Sequence, residues 1–182
     1  MKFTQLEIPD VYLIEPQVFG DARGWFLESF SEKIFAQNGI TERFVQDNQS
    51  RSAKGVLRGL HYQIPPKAQS KLVRVIRGSI LDVAVDIRKS SKTFGKHVAV
   101  RLDSASHQML FVPRGFAHGF CALEEGTEVL YKVTDFYAPD HERGILWNDP
   151  KLAIQWPQLD VDYIFSEKDQ KYPAFENAIY FD

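Results

Sequence analysis

The stretch KLVRVIRGSILDVAVDI, residues 71–87, contains two short apolar runs separated by Arg77 and Gly78. The runs at 71–76 and 80–87 are rich in valine, isoleucine and leucine, and they have the length of strands rather than of helices. A glycine between two such runs is typical of a turn. The stretch therefore predicts two successive β-strands.

Other runs of this kind recur along the chain, separated by turns that contain glycine or proline. A parallel α/β fold needs a helix between successive strands, and the intervals here are too short for one. We therefore predict an all-β fold, an antiparallel jelly-roll barrel with a few short peripheral helices. The further predicted strands are VYLI at 11–14, HVAVRL at 97–102, QMLFV at 108–112 and EVLYKV at 128–133.

Helical patterns are sparse. In SFSEKIFAQNG, Ser29 and Glu32 have the spacing of a capping box, apolar residues follow, and Gly39 stands where a C-terminal cap is expected. A second helical turn is predicted to begin at Ser166 and to end before Pro173.

The composition is that of an ordinary globular protein. The chain has 182 residues, of which 44% are hydrophobic, and no repeat or linker divides it, so we expect a single domain over residues 1–182. The net charge is −2 with both signs interspersed, which argues against nucleic acid or an anionic membrane as a partner. No secretory signal or apolar run of about 20 residues is visible, so a cytoplasmic location is expected.

The single cysteine, Cys121, cannot form an internal disulfide or a thiolate cluster. Apolar residues flank it in FCAL. We therefore expect a buried structural thiol rather than a nucleophile.

The stretch VLRGLHYQ, residues 56–63, places two polar side chains in a β-prone run. Strict alternation puts Arg58 and His61 on opposite faces of a strand. A bulge at Gly59 would reset the register and turn both side chains into one cavity. The alternative is an exposed arginine beside a histidine that is hydrogen-bonded within the sheet.

Three more polar residues lie inside apolar runs. Lys71 and Tyr131 each share a face with valines of their own strand, and Asp82 lies on an apolar face. A carboxylate there needs a partner such as Lys71 or Arg58. The alternatives are an edge charge for the lysine and a packing role for the tyrosine.

The segment FVPRGFAHGF places His118 in a PxGxxH pattern, which resembles the second motif of cupins, where such a histidine binds a metal. The first cupin motif has His-x-His, whereas this chain reads His61, Tyr62, Gln63. A catalytic metal normally has three protein ligands, and two of the usual ones are missing. We therefore expect no functional metal.

Several segments occur together in order over nearly the whole chain: FGDARGWFLESF, FVQDNQS, LRGLHYQ, VPRGFAHGF, YKVTDFY and SEKD. Their combination resembles the dTDP-4-dehydrorhamnose 3,5-epimerase family, metal-free cupins of deoxysugar biosynthesis. The resemblance implies inversion of C3 and C5 of dTDP-4-dehydro-6-deoxy-D-glucose, which gives dTDP-4-dehydro-L-rhamnose for dTDP-L-rhamnose biosynthesis.

The resemblance also implies roles for four residues. His61 would be the base that removes the proton next to the ketone, with Asp169 holding its imidazole. Tyr131 would return a proton from the opposite face. Lys71 would stabilise the enolate as a fixed cation.

Substrate-binding residues are implied in the same way, with Arg23 and Arg58 on the diphosphate. Aromatic candidates for stacking on the thymine are Phe26, Phe136 and Tyr137. For surface polar residues, the alternative is solvation or turn capping. The remaining implied binding positions are Glu28, Gln46, Asp47, Asn48, Asp82, His118, Glu142 and Lys168.

The family forms dimers that exchange an N-terminal segment, so the resemblance implies that Arg23, Phe26 and Glu28 serve the partner's pocket. Three alternatives remain open. A related enzyme epimerises one carbon only, or moves the ketone. A metal-dependent cupin oxygenase and a non-catalytic sugar-nucleotide binding module belong to other classes.

Overall fold

The computed structural model describes residues 1–182 and consists mainly of β-strands. It has one α-helix, α1 (Glu32–Gln37), and two 3₁₀ helices, Pro139–His141 and Phe175–Asn177. The strands are β1 (Lys2–Gln5), β2 (Tyr12–Glu15), β3 (Val18–Asp21), β4 (Gly24–Leu27), β5 (Gln46–Ser52), β6 (Leu57–Gln63), β7 (Lys71–Arg77), β8 (Ser79–Asp86), β9 (His97–Asp103), β10 (Met109–Val112), β11 (Phe116–Ala122), β12 (Thr127–Val133) and β13 (Glu142–Gly144).

Two antiparallel sheets form the body of the molecule. The six-stranded sheet has the order β1-β2-β10-β7-β12-β5, and the five-stranded sheet has the order β13-β6-β11-β8-β9. β3 and β4 form a separate hairpin. The predicted antiparallel jelly roll is confirmed, because neighbours in each sheet are often distant in sequence, as in a jelly roll.

The main hydrophobic core lies between the two sheets. Val73 and Val75 of β7 pack there against Ile80 of β8 and Phe120 of β11, and all four are buried. Alternation along each strand places every second side chain on this inner face. Polar residues at these alternate positions therefore also point into the space between the sheets.

The outer faces of the sheets are also covered in part. Phe35 of α1 packs on Leu72 and Met109 of the six-stranded sheet. Leu152 and Phe175, from the segment after β13, pack on the outer face of the five-stranded sheet. The segment after β13 is thereby held against β6, the strand that carries His61.

All six predicted runs form strands, and Gly78 makes the turn between β7 and β8 with a φ of 75°. The predicted capping box is wrong: α1 begins directly after Ser31, whose side chain makes no capping hydrogen bond. With Glu32 as the first helical residue, Ser29 is too far from the helix to cap it. Gly39 follows the C-cap as predicted, with a φ of 86°.

The helical turn predicted from Ser166 is also wrong. Residues 167–170 form a turn, and the 3₁₀ helix Phe175–Asn177 comes only after Pro173. Ser166 instead bonds to the side chain of Asp169, its partner within the turn. Such local side-chain bonds compete with helix formation.

Candidate active site

A β-bulge at Gly59 turns two polar side chains of β6 to the same side. Opposite β11, His61 pairs with His118 whereas Arg58 pairs with Phe120, so three steps along β6 match two steps along β11. Gly59 has a φ of 142°, and a Cβ there would lie 2.5 Å from a backbone atom of β11. Of the two interpretations of this stretch, the bulge is the one that the structure shows, and both side chains line one cavity. Arg58 is also exposed, as the other interpretation expected.

The space between the sheets is divided into two cavities that share His61, Lys71 and Tyr131 in their walls. The outer one, of about 230 Å³, is also lined by Gln46, Asn48 and Glu142. The inner one, of about 200 Å³, is also lined by Ser50, Arg58, His118 and Phe120. These polar groups converge on a site of the size and character of a small-molecule pocket.

The shared residues come from opposite walls. His61 stands on β6 of the five-stranded sheet, whereas Lys71 and Tyr131 stand on β7 and β12 of the six-stranded sheet. An imidazole on one side thus faces a phenol and an amine on the other. This arrangement can hold a small molecule between a base and an acid.

The imidazole of His61 is bound by a buried carboxylate. Its Nε2 lies 2.5 Å from Oδ1 of Asp169, and the Ser166 hydroxyl donates to Oδ2 of Asp169 at 2.7 Å. Burial raises the pKa of Asp169, but the hydrogen bonds from His61 and Ser166 outweigh it and hold the pKa below its ordinary value. Asp169 therefore remains a carboxylate at neutral pH.

A second such pair lies on the neighbouring strands. Nε2 of His118 is 2.6 Å from Oδ1 of Asp82, and both residues are buried. The hydrogen-bond partner of Asp82 is thus a residue that the sequence did not indicate, whereas Lys71, one of the two expected partners, interacts with it through charge. Burial lowers the pKa of His118, with Asp82 opposing, so its imidazole is neutral near pH 7.

At neutral pH, Lys71 carries a positive charge and the phenol of Tyr131 is protonated. Burial lowers the pKa of Lys71 to about 8, while Asp82 and Glu142 oppose this shift. Burial raises the pKa of Tyr131, which keeps its phenol protonated. Nζ of Lys71 also lies 3.4 Å from the backbone carbonyl oxygen of His61, so the amine projects toward the opposite wall.

Four of the predicted binding residues meet at the mouth of the outer cavity. Glu142 accepts a hydrogen bond from the Tyr137 hydroxyl at 2.7 Å and pairs with Lys168. Gln46 accepts a bond from the Tyr137 backbone and donates to Asn48. Phe136, the neighbouring aromatic candidate, is 60% exposed.

The structure does not bring Asp47 into this site. Its carboxylate binds Lys132 at 2.9 Å, on the outer face of the six-stranded sheet. Alternation explains the difference, because Gln46 and Asn48 occupy the inner positions of β5 and the residue between them must point outward. The predicted binding role of Asp47 thus finds no support in the geometry.

The N-terminal candidates lie apart as well. Arg23 and Phe26 belong to the β3–β4 hairpin, and Glu28 follows it directly. The guanidinium of Arg23 binds Asp21, and Phe26 is 68% exposed. None of the three lines either cavity of its own chain.

Some residues of the site were not predicted. Ser50 lines the inner cavity, and its buried hydroxyl has no hydrogen-bond partner. Its parity with Gln46 and Asn48 in FVQDNQS was the signal that could have found it. Gln63 donates to the carbonyl of Phe136 and accepts from the backbone of Ala138, which anchors the segment with the exposed aromatics. No pattern in the sequence indicated these long-range bonds.

Other features bear on the remaining predictions. Cys121 is buried, as expected. No group of three or more histidine, cysteine or acidic residues is arranged to hold a metal ion. None of the helices is long and apolar enough to cross a membrane.

The family model described as dTDP-4-dehydrorhamnose 3,5-epimerase matches residues 5–177. The chain belongs to this family. A dTDP-4-dehydrorhamnose 3,5-epimerase of Pseudomonas aeruginosa is 55% identical over 179 residues, which cover 98% of each chain. The predicted family and the epimerase class are confirmed.

Solved structures agree with this assignment. A dTDP-6-deoxy-D-glucose-3,5-epimerase from Legionella pneumophila, in complex with dTDP-4-keto-L-rhamnose, superposes with a TM-score of 0.93 at 46% identity, over 97% of this chain and 93% of that one. A 3′-monoepimerase from Streptomyces bikiniensis, in complex with dTDP-quinovose, gives a TM-score of 0.88 at 32% identity, over 94% of this chain and 87% of that one. The fold is therefore shared by enzymes that invert two carbons and by one that inverts a single carbon.

Proposed function

We propose that the chain inverts C3 and C5 of dTDP-4-dehydro-6-deoxy-D-glucose to give dTDP-4-dehydro-L-rhamnose, without a cofactor. The observation that carries this proposal is the pair His61 and Tyr131 on opposite walls of one cavity, with Lys71 beside them. Inversion next to a ketone needs a base on one face of the sugar and an acid on the other. High identity to 3,5-epimerases supports the choice of substrate.

In each inversion, His61 takes the proton from the carbon next to the ketone, and the bonding electrons move into the enolate. The charged amine of Lys71 stabilises the enolate oxygen. Tyr131 then gives its proton to the carbon from the opposite face. His61 has gained a proton and Tyr131 has lost one, so exchange with solvent restores both before the second carbon reacts.

Arg58 and the polar side chains around the outer cavity bind the nucleotide part of the substrate. Arg58 extends into the inner cavity, where its planar guanidinium suits phosphate oxygens. Gln46, Asn48 and Glu142 offer hydrogen-bonding groups around the outer cavity. Tyr137 is the better-placed stacking candidate for thymine, since it lines the cavity and Phe136 does not.

Incubation with the 4-keto substrate in deuterated water tests the proposal. We expect deuterium at both C3 and C5 of the product. Label at one carbon only would assign the chain to the monoepimerases, a second candidate that the likeness to the Streptomyces enzyme favours. No label at either carbon would contradict proton abstraction altogether.

Replacing Tyr131 by phenylalanine separates the two proton transfers. The variant should still exchange the substrate's protons, since the base remains, but product formation should fall by about 10²–10⁴ as for loss of a positioned acid. The two rates are measured by mass shift of recovered substrate and by product analysis. Equal loss of both would give the tyrosine another role.

We further propose a homodimer in which the β3–β4 hairpin completes the partner's site. The hairpin exposes Phe19, Trp25 and Phe26 at 54%, 60% and 68%, which is a large apolar surface for a monomer. Arg23 on the same hairpin is then available for the partner's diphosphate. We also infer that residues 1–182 form one domain, since β1 joins the six-stranded sheet and the segment after β13 packs on the five-stranded sheet. We propose that this domain acts in the cytoplasm.

Solution mass should be about twice the monomer's 20.9 kDa. Mixing Arg23→Ala with His61→Ala tests site sharing, because a mixed dimer contains one site with both residues intact. Random reassociation should restore about a quarter of the activity. A monomeric mass, or no recovery on mixing, would contradict the exchanged hairpin.

A further inference from the structure

Tyr172 lies beside the imidazole of His61. Its ring centroid is 5.5 Å from that of His61, and the ring planes meet at 65°, an edge-to-face arrangement. Tyr172 follows the turn at 167–170, which carries Asp169. One short segment therefore supplies both the carboxylate and an aromatic wall for the same histidine.

The space for this ring is created by Gly144. In the pairing of β13 with β6, Gly144 stands directly opposite His61. A Cβ at Gly144 would lie 2.5 Å from three carbons of the Tyr172 ring. The ring thus packs flat on bare backbone next to the imidazole, and any other residue at position 144 would displace it.

The carboxylate and the ring constrain different motions of the imidazole. The hydrogen bond that Nε2 of His61 donates to Asp169 holds one atom of the imidazole, and by itself it allows the ring to tilt about that contact. An edge-to-face neighbour restricts the tilt. Placement of a base matters because a misplacement of about 1 Å can cost about 10²-fold in rate.

The hydroxyl of Tyr172 is not the group that holds the ring. Its oxygen is buried and has no hydrogen-bond partner. Burial raises the pKa of this phenol, so it remains protonated and does not act as a base. The contact with His61 is made by the ring.

We propose that Tyr172 is a positioning residue that sets the tilt of the His61 imidazole through its ring, with Gly144 providing the space. This inference rests on the proposed role of His61 as the base. It predicts that the ring matters for the rate of proton removal and that the hydroxyl does not.

Deuterium incorporation by Tyr172→Ala, Tyr172→Phe and the wild type tests the inference. Tyr172→Ala should lower kcat for exchange by about 10–100-fold, with KM changed by less than about threefold, because the base is misplaced while the nucleotide contacts remain. Tyr172→Phe keeps the ring and should restore kcat to within about threefold of the wild type. Wild-type kcat in Tyr172→Ala, or equal loss in Tyr172→Phe, would overturn the proposal.

Tyr180→Ala is the matched control. Its ring packs on Phe94 and Phe175 in the same C-terminal segment, away from His61. It should lower the melting temperature without the selective loss of kcat, and a matching loss of kcat would reduce Tyr172 to a packing residue and overturn the proposal.

Gly144→Ala tests the same contact should Tyr172→Ala fail to fold, since it displaces the ring without removing it. It should show the same loss of kcat at unchanged KM, and full kcat would contradict the inference. His61→Asn separates the two proposals. If exchange persists in His61→Asn, the base assignment fails; if exchange is lost there but Tyr172→Ala is fully active, only the role of Tyr172 fails.

Discussion

Two histidine–aspartate pairs lie side by side in the barrel, His61 with Asp169 and His118 with Asp82. The histidines stand opposite each other in the pairing of β6 with β11. The His61 side chain is 29% exposed toward the cavity, whereas that of His118 is 7% exposed. Chemically identical pairs thus occupy very different surroundings.

The carboxylates differ as well. Asp169 comes from a loop and bonds through both oxygens, to His61 and to Ser166. Asp82 comes from the middle of β8, and its Oδ2 has no partner. The first pair can therefore exchange a proton with a bound molecule, whereas the second pair places a fixed, buried charge in the wall of the inner cavity.

Replacing His61 should reduce deuterium incorporation far more than replacing His118. His61→Asn should lower deuterium incorporation by about 10³-fold or more, because a positioned base is lost. His118→Asn keeps a donor for Asp82 and should remain within about tenfold of the wild type. Isotope exchange followed by mass spectrometry measures both, and equal losses would break the distinction between the pairs.

The next effect concerns Lys71, which lies between the pairs. Lys71→Met should lower kcat/KM by about 10²–10³-fold, as for loss of a group that stabilises an oxyanion. In the wild type, kcat/KM should fall as pH rises through about 8, since the amine then loses its proton, and the variant should lack this fall. A pH–rate profile from pH 6 to about 10 checks both expectations.

The same titration changes stability. The pKa of Lys71 is about 8 in the fold against 10.5 for the free side chain, so unfolding takes up a proton between these values. Wild-type stability should therefore rise with pH across that window relative to Lys71→Met. Melting temperatures of both proteins at several pH values measure the difference, and parallel curves would contradict the buried cation.

Replacing Asp169, the carboxylate on the loop, should lower kcat by less than replacing His61 or Lys71. Asp169→Asn leaves a hydrogen-bonding group near His61 but removes the charge that supports a protonated imidazole, so kcat should fall by about 10–100-fold. KM should change little. An unaltered kcat would show that the carboxylate does not act through His61.

Replacing Asp82 should change only the pH dependence of kcat/KM, and only slightly. Asp82→Asn retains an acceptor for His118 but removes the charge that opposes the lowering of the Lys71 pKa. The alkaline fall in kcat/KM should therefore move to lower pH, by about one unit or less. Asp169→Asn is the control and should leave that fall in place; a shift in both variants would remove the contrast.

The fold class and most of the inner face were predictable from local patterns in the sequence. Short apolar runs between turn residues predicted the strands, and the glycine in VLRGLHYQ indicated where a bulge could bring Arg58 and His61 to the same side. These features are local, because the period of two along a strand and the conformational freedom of glycine depend on neighbouring residues alone. The order of quoted segments was enough to recognise the family.

Which side chains meet in the site depends on how distant segments of the chain pack together. His118 rather than Lys71 binds Asp82, and Tyr172 packs on His61 through the gap at Gly144. These contacts join residues that are far apart in sequence. Local patterns do not show which strands pair or where the C-terminal segment packs. Burial then sets the pKa of Lys71 near 8, since the cost of desolvating a charge depends on everything that surrounds it.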